Sequence, residues 1–539
     1  MPELEAIRQA EQELTERYRE KLIVNADLDR TLVSFQANKA ERGYRWFKYK
    51  EGFSARLVAY LLDRLGIERG RLLDPFAGCG TALFAGAVRG LDAVGMELLP
   101  VGCDIMEARK MALSGDRERL TAGLTRWIKD LPWRKTRTVS SFSHLPITAG
   151  AFPPANEAAL GRYVTALAGE PDGEIRRLLR FAALCVLEEV SYTRKDGQYL
   201  RWDSRSERKL GARRFDKGTI PPFDAAIARK LAEMRADLTA LPPRPPCAGS
   251  VEVVAGSCLE RLPQLPSRSF DCLITSPPYC NRYDYTRTYA LELAFLGVGE
   301  EQLKALRQAM VSCTVENREK EGLAGQLPAA LLKAARHAYD GQELLGRILE
   351  YLEARRVAGL LNNGGIPRMV RHYFWELTLV LLQCARILKP GAPLVMVNDN
   401  VRYAGAGVPV DLILSDLARG VGFTVERIWV LPNGKGNSSQ QMGRHGRDTL
   451  RKCVYVWRAP AAGAQARIAT GSPTAASPAA VGSALDSIAR SNQNGTPRCM
   501  RSACSQRITS RSSAAGSKTT SVGVPSRKCR RMPSGPRTA

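Results

Sequence analysis

The chain is poor in histidine, with 4 in 539 residues, and its 13 cysteines include no CxxC pair. Without clustered imidazole or thiolate donors, neither a zinc site nor a disulfide framework can be read from it, and no metal is expected. Singly scattered cysteines such as Cys79, Cys103, Cys185 and Cys247 fit reduced thiols in a cytosol, so a cytoplasmic location is expected. Long apolar runs are missing too. No stretch approaches the roughly 18 uninterrupted apolar residues of a membrane helix, and residues 1–20 are rich in Glu and Arg with no apolar signal core. Membrane-spanning and conventionally secreted classes are thereby disfavoured. The GxGxxG and GxxxxGK[ST] phosphate-binding patterns are also absent, so nothing supports pyrophosphate binding. No internal repeat of fixed period is present.

What is there is enough apolar sequence for a sizeable core, together with an excess of basic charge. Hydrophobic residues make up 44% and charged residues 25% of the chain, which excludes wholesale disorder. Lys plus Arg number 79 against 54 Asp plus Glu, a net charge of +25. Such a field favours polyanions through counterion release and steering. In residues 459–539 twelve basic residues meet one acidic residue, Asp486, a net +11 that leaves +14 on the rest of the chain. This segment is dominated by Ser, Ala, Gly, Pro, Thr and Arg without periodicity. It is expected to be a disordered basic tail, and a passenger extension is favoured over a DNA-binding arm.

Upstream, short apolar runs bounded by turn residues alternate with helical patterns, as in an α/β domain with a mainly parallel sheet. Strands are expected at 71–74, 92–97, 251–255, 271–275, 393–397, 423–429 and 453–457, and helices at 54–65, 81–89, 101–113, 374–388 and 409–420. Seven strands suffice for one doubly wound, Rossmann-like sheet, with the last two forming an antiparallel edge. Two connections, 114–250 and 280–392, are too long for simple crossovers and must be insertions with structure of their own.

Residues 71–81, Arg-Leu-Leu-Asp-Pro-Phe-Ala-Gly-Cys-Gly-Thr, read as a strand, a glycine-rich turn and a helix start. Gly78 and Gly80 permit close backbone approach to a ligand, and the helix N-terminus offers free amides. The next strand ends at Glu97, where an acidic side chain can accept both hydroxyls of a ribose. These surroundings fit a nucleoside without phosphates. A second segment, 271–279, is an apolar strand running into Ser276, Pro277, Pro278 and Tyr279. Paired prolines fix the backbone there, and an aromatic ring faces the carboxyl edge of the sheet. In the S-adenosylmethionine-dependent amino-methyltransferases of DNA, which residues 74–81 resemble, the target is the exocyclic amine of cytosine or adenine, a poor nucleophile because its lone pair is delocalised into the ring. Hydrogen bonds from that NH2 to the Ser276 hydroxyl and the Pro277 carbonyl can localise it while Tyr279 stacks on the base. Inside a duplex the nucleotide must first be rotated out of the stack.

With DPFxGxGT at 74–81 and TSPPY at 275–279, the chain resembles the S-adenosylmethionine-dependent amino-methyltransferases of DNA. The resemblance spans roughly 45–457 and implies S-adenosyl-L-methionine as cofactor. It places Asp74, Phe76, Gly78 and Gly80 at the methionine end, Glu97 on the ribose, and the sulfonium methyl opposite the target nitrogen for in-line displacement. Residues 44–54 resemble the family segment that closes over the methionine end. Phe53 is the candidate aromatic, or else a hydrophobic staple for the following helix. Gly256-Ser257 stands where the family has Gly-Asp, so Ser257 replaces a carboxylate that accepts from the cofactor's adenine amino group. In that family (S/T)PPY goes mainly with cytosine N4 and (D/N)PP(Y/F) with adenine N6. Ser276 thus points to N4-methylation of cytosine in double-stranded DNA, with adenine N6 the alternative. An RNA amino-methyltransferase and a non-catalytic DNA-binding protein with a degenerate fold are further alternatives. The resemblance also implies a restriction-modification role with a cognate endonuclease as partner.

The expected layout follows. Residues 1–114 carry the cofactor-binding turn, 115–250 form an insertion suited to target recognition, and 251–279 carry the TSPPY motif. Residues 280–392 form a helical insertion, 393–458 complete the catalytic domain, and 459–539 are the tail. Within the first insertion, residues 192–205 interleave basic and aromatic side chains, a pattern that suits phosphate contact and base stacking or else a solvated face. Residues 435–441 read as a polar loop that contacts DNA or merely connects two strands. Asn398, Asp399 and Asn400 lie at a carboxyl edge where polar groups can face a base.

Overall fold

The alternating apolar runs assemble into one eight-stranded sheet. In chain order its strands are β1 (Leu22–Val24), β2 (Gly70–Asp74), β3 (Leu91–Glu97), β4 (Val251–Ala255), β5 (Cys272–Thr275), β6 (Pro393–Asp399), β7 (Thr424–Val430) and β8 (Lys452–Arg458). Across the sheet they run β1-β7-β8-β6-β5-β2-β3-β4. This computed structural model describes residues 2–465 apart from 197–198, 209–214, 244, 321, 324, 326, 433–434, 437–448 and 464. The tail beyond 465 therefore lies outside the described residues, as does most of the polar loop at 435–441.

Strands β2 to β6 are mutually parallel, while β8 runs antiparallel to both β6 and β7. The seven expected strands all form, and two details of the sequence reading need correction. The sheet has eight strands, because β1 adds to β7 in parallel through Leu22↔Ile428 to Val24↔Val430. A three-residue strand is too short for alternation to reveal. The antiparallel pair is also not an edge. β8 lies inside the sheet, paired with β6 from Lys452↔Asp399 to Arg458↔Pro393, and β7 is covered by β1.

This order puts β2 between β5 and β3, where the winding reverses and a crevice opens beyond the carboxyl ends of the strands. Asp74, Glu97, Thr275 and Asp399 end their respective strands. The helices that carry the turns around this crevice start from local chemistry. The Ser54 hydroxyl accepts from the Leu57 amide (3.1 Å) and donates to the Leu32 carbonyl (2.6 Å), capping Ala55–Leu65. Helix Thr81–Val88 leaves the glycine turn, and Pro100–Ser114 follows Glu97 with proline in its first turn.

Between β3 and β4, helices Arg117–Asp130, Pro154–Ala168, Gly173–Val190 and Phe223–Ala240 pack around an aromatic cluster. Its centre is Tyr163, with ring centroids 5.6 Å from Trp127, 5.3 Å from Trp133 and 5.5 Å from Phe223. Between β5 and β6 lie helices that include Ala290–Phe295, Glu300–Ala309, Ala329–Asp340, Glu343–Val357 and Ile366–Ile387. The last is buried on nearly all sides. No helix among the described residues is long and apolar enough to cross a membrane.

Candidate active site

The backbone after β2 folds back on itself through two left-handed glycines, Gly78 (φ 55°) and Gly80 (φ 74°). A Cβ on Gly78 would lie 3.0 Å from the Tyr49 ring, and one on Gly80 would lie 2.7 Å from Met106 Cγ. Only glycine fits either place. The turn forms one wall of a cleft with about 770 Å³ of space, the solvent at its mouth included. Of the residues singled out from sequence, Phe53, Asp74, Phe76, Gly78, Glu97, Ser257, Ser276 and Pro278 line this cleft. Gly80, Pro277 and Tyr279 do not. Gly80 acts instead as the N-cap of helix Thr81–Val88.

Among the described residues, three carboxylates, those of Glu51, Asp74 and Glu97, line the cleft, and no lysine, arginine or histidine does. Asp74 Oδ1 accepts the Thr275 hydroxyl (2.5 Å) and the Phe76 amide (3.0 Å). Glu97 accepts the Gly78 amide at Oε2 (2.8 Å) and the Leu99 amide at Oε1 (2.7 Å). Those bonds favour the ionised forms, but burial outweighs them and pushes both carboxyls up to about 7. A cleft with this charge balance suits a cationic ligand. Behind the turn, the buried Arg109 guanidinium donates to the Cys79 carbonyl (2.8 Å) and stacks 3.8 Å over the Tyr44 ring. It braces the glycine turn against the loop that carries Tyr49, Glu51 and Phe53.

The second wall comes from the chain after β5. Ser276 Oγ donates to the Val397 carbonyl (3.0 Å) and lies 3.2 Å from the Tyr279 hydroxyl. With its proton on a carbonyl, the serine oxygen is left to accept. Lys452 Nζ sits 5.4 Å from the centre of the Tyr279 ring and pairs with Asp399 (2.9 Å). Burial lifts the Tyr279 phenol above its ordinary range. Ser257 donates to the Ala309 carbonyl (2.7 Å) and accepts weakly from the Leu259 amide (3.4 Å), so its oxygen keeps a further lone pair. Asn398 and Asn400 are buried in internal bonds, to the Tyr373 hydroxyl (3.0 Å) and from the Asp411 amide (3.0 Å).

Sequence reasoning missed Tyr49, Glu51, Tyr285, Arg109 and Lys452. Tyr49 and Glu51 lie in the aromatic segment already noted, but nothing there distinguishes them. Tyr285, Arg109 and Lys452 carry no motif at all. The basic-aromatic segment at 192–205 also needs correction as a DNA-contacting surface at several of its positions. Lys195 is 3% exposed and pairs with buried Glu292 at 2.5 Å. Trp202 is buried, and the Arg205 guanidinium is held by Asp203 (2.7 Å). Lys195 and Trp202 are packed into the fold beside the hairpin Thr193–Asp196/Tyr199–Trp202 and are not free to meet DNA, whereas Arg205 stays half exposed.

Among the described residues no cluster of three His, Cys, Asp or Glu could hold a metal ion. No protein-family model matches the chain. It is 50% identical over 455 residues to the type II methyltransferase M.AvaI, both from Nostoc sp. and from Anabaena variabilis, covering 83% of this chain and 92% of each relative. It is also 39% identical over 453 residues to the type II methyltransferase M.BsoBI of Geobacillus stearothermophilus, covering 80% of this chain and 88% of that relative. Identity of this extent, over a fold whose crevice joins a glycine turn to a Ser-Pro-Pro-Tyr segment, means that the chain belongs to the type II methyltransferases, a family of DNA methyltransferases.

Proposed function

We propose that the protein transfers the methyl group of S-adenosyl-L-methionine to the N4 amino group of cytosine in duplex DNA, as the modification partner of a cognate endonuclease in the cytoplasm. The observation that carries this reading is that one cleft is lined both by the glycine turn and Glu97 and by Ser276 and Pro278. The residues fit the cofactor. Glu97 and Ser257 would hold the nucleoside, and Asp74, Phe76, Gly78 and Phe53 the methionine end. The three carboxylates would balance a ligand bearing a sulfonium and an ammonium. When bound, the cofactor supplies an activated methyl group.

The chain's own residues do the rest. Ser276 Oγ and the Pro277 carbonyl accept from the target NH2 and localise its lone pair, and Tyr279 stacks on the extruded base. Holding the two reactants against one another within one cleft supplies much of the acceleration through proximity and orientation. Residues 115–250 are proposed as the target-recognition region, and the basic body as the source of nonspecific DNA affinity. The test is transfer of labelled methyl from S-adenosylmethionine to duplex DNA, followed by nucleoside mass spectrometry. N4-methylcytosine is the expected product. N6-methyladenine would move the reading to adenine, and methylation of RNA in preference to duplex DNA would overturn it.

A further inference from the structure

Glu51 lies in the segment 44–54 from which sequence singled out only Phe53, and its half-buried carboxylate lines the cleft. It lies on the loop between Tyr49 and the Ser54-capped helix. That loop presses against the glycine turn, since a Cβ on Gly52 would come within 3.5 Å of Cys79 Sγ. Two phenols, Tyr283 and Tyr289, donate their hydroxyls to opposite oxygens of Glu51. Both arise just beyond the Ser-Pro-Pro-Tyr segment. The Tyr289 ring stacks on Tyr49 (5.4 Å, 10° between planes), and Tyr283 meets Tyr285 edge-on (4.8 Å). Tyr49 and Tyr285 line the cleft themselves.

The other two carboxylates of the cleft are tied to backbone amides, whereas Glu51, among the described residues, accepts from the two phenols. Burial and the neighbouring Glu51 charge both hold the two phenols in their protonated, donating form. An oxygen that accepts one phenol keeps a further lone pair. Among the described residues that line the cleft, no basic side chain competes for it.

We infer that Glu51 binds the primary ammonium at the amino-acid end of the cofactor, and that Tyr283 and Tyr289 are positioning residues that aim it. The inference rests on the proposed reading that this cleft takes S-adenosylmethionine. It also means that the chain following the target-base segment helps to set cofactor affinity. A charge-assisted bond of this kind is stronger than its neutral counterpart, so its loss is measurable in binding alone.

The experiment is calorimetric titration of the full-length protein with S-adenosylhomocysteine and with its desamino analogue, which lacks only the ammonium. Glu51→Gln keeps the shape and leaves groups to bond both phenols. It is expected to weaken S-adenosylhomocysteine roughly tenfold or more and to leave the desamino analogue within about twofold. Tyr283→Phe should show the same selectivity with a smaller loss, about threefold. Unchanged S-adenosylhomocysteine affinity in Glu51→Gln, or equal losses for both ligands, would overturn the inference. A wild-type protein that binds neither ligand would overturn the underlying reading of the cleft instead.

Discussion

Asp74 and Glu97 sit in the same cleft with carboxyls that burial raises to about 7, and this sets a pH dependence whose sign can be worked out. Between the ordinary carboxylate range and 7, the folded protein holds protons that the unfolded chain has released, so the ligand-free protein loses stability as pH rises through that window. A cationic ligand favours the ionised carboxylates. Affinity for S-adenosylmethionine should therefore rise with pH up to about 7, by as much as about tenfold per unit while one carboxyl titrates and with proton release, and level off above it. Calorimetry in two buffers of different ionisation heat reads both quantities, and Asp74→Asn should flatten the curve. Tyr279 lies outside the cleft lining, against Ser276 and Lys452. Tyr279→Ala should lower kcat by roughly 10- to 100-fold, the worth of one stacked base, with S-adenosylhomocysteine affinity kept within about twofold. Equal losses in turnover and cofactor binding would count against the stacking role.

Among the elements, the glycine turn was readable because its chemistry is local. Two left-handed residues, an acidic strand end and a helix start fall within a few positions of one another. Gly80→Ala forces a side chain into the left-handed region and against Met106 and Phe84, and should cost about 3 kcal/mol in denaturant unfolding. The hairpin of the first insertion was not readable in the same way. Its basic and aromatic residues look like a nucleic-acid surface until the chain folds. Lys195 then proves to lie between the Phe47 and Tyr289 rings, 5.0 Å and 4.5 Å from their centres, paired with Glu292 of helix Ala290–Phe295. Lys195→Met strands a carboxylate whose burial already raises its pKa, and should destabilise by about 3–5 kcal/mol. The double variant with Glu292→Leu should recover much of that loss, which a double-mutant cycle measures.

For the whole molecule, whose net charge is +25, the basic body ahead of the tail should make affinity for DNA salt-dependent, with a negative slope of log affinity against log salt. Residues 466–539 carry +11 of that charge. Ending the chain at Gln465, whose amide donates to the carbonyls of Ala385 (3.1 Å) and Leu388 (2.7 Å), should leave turnover within about twofold and the slope nearly unchanged. A markedly shallower slope would identify the tail as a DNA-binding arm.

The order of apolar runs and two short motifs carried the fold class, seven strands and the outline of the cleft, because strand periodicity and turn chemistry depend on residues close together in the chain. Other features depend on groups that folding brings together from far apart. Glu51 meets Tyr283 and Tyr289, Arg109 meets Cys79, and Lys452 meets Asp399 and Tyr279. Burial, which raises the carboxyls of Asp74 and Glu97 and removes Lys195 from any phosphate, exists only once those distant segments pack. Tertiary packing alone decided which charges face the ligand and which hold the protein together.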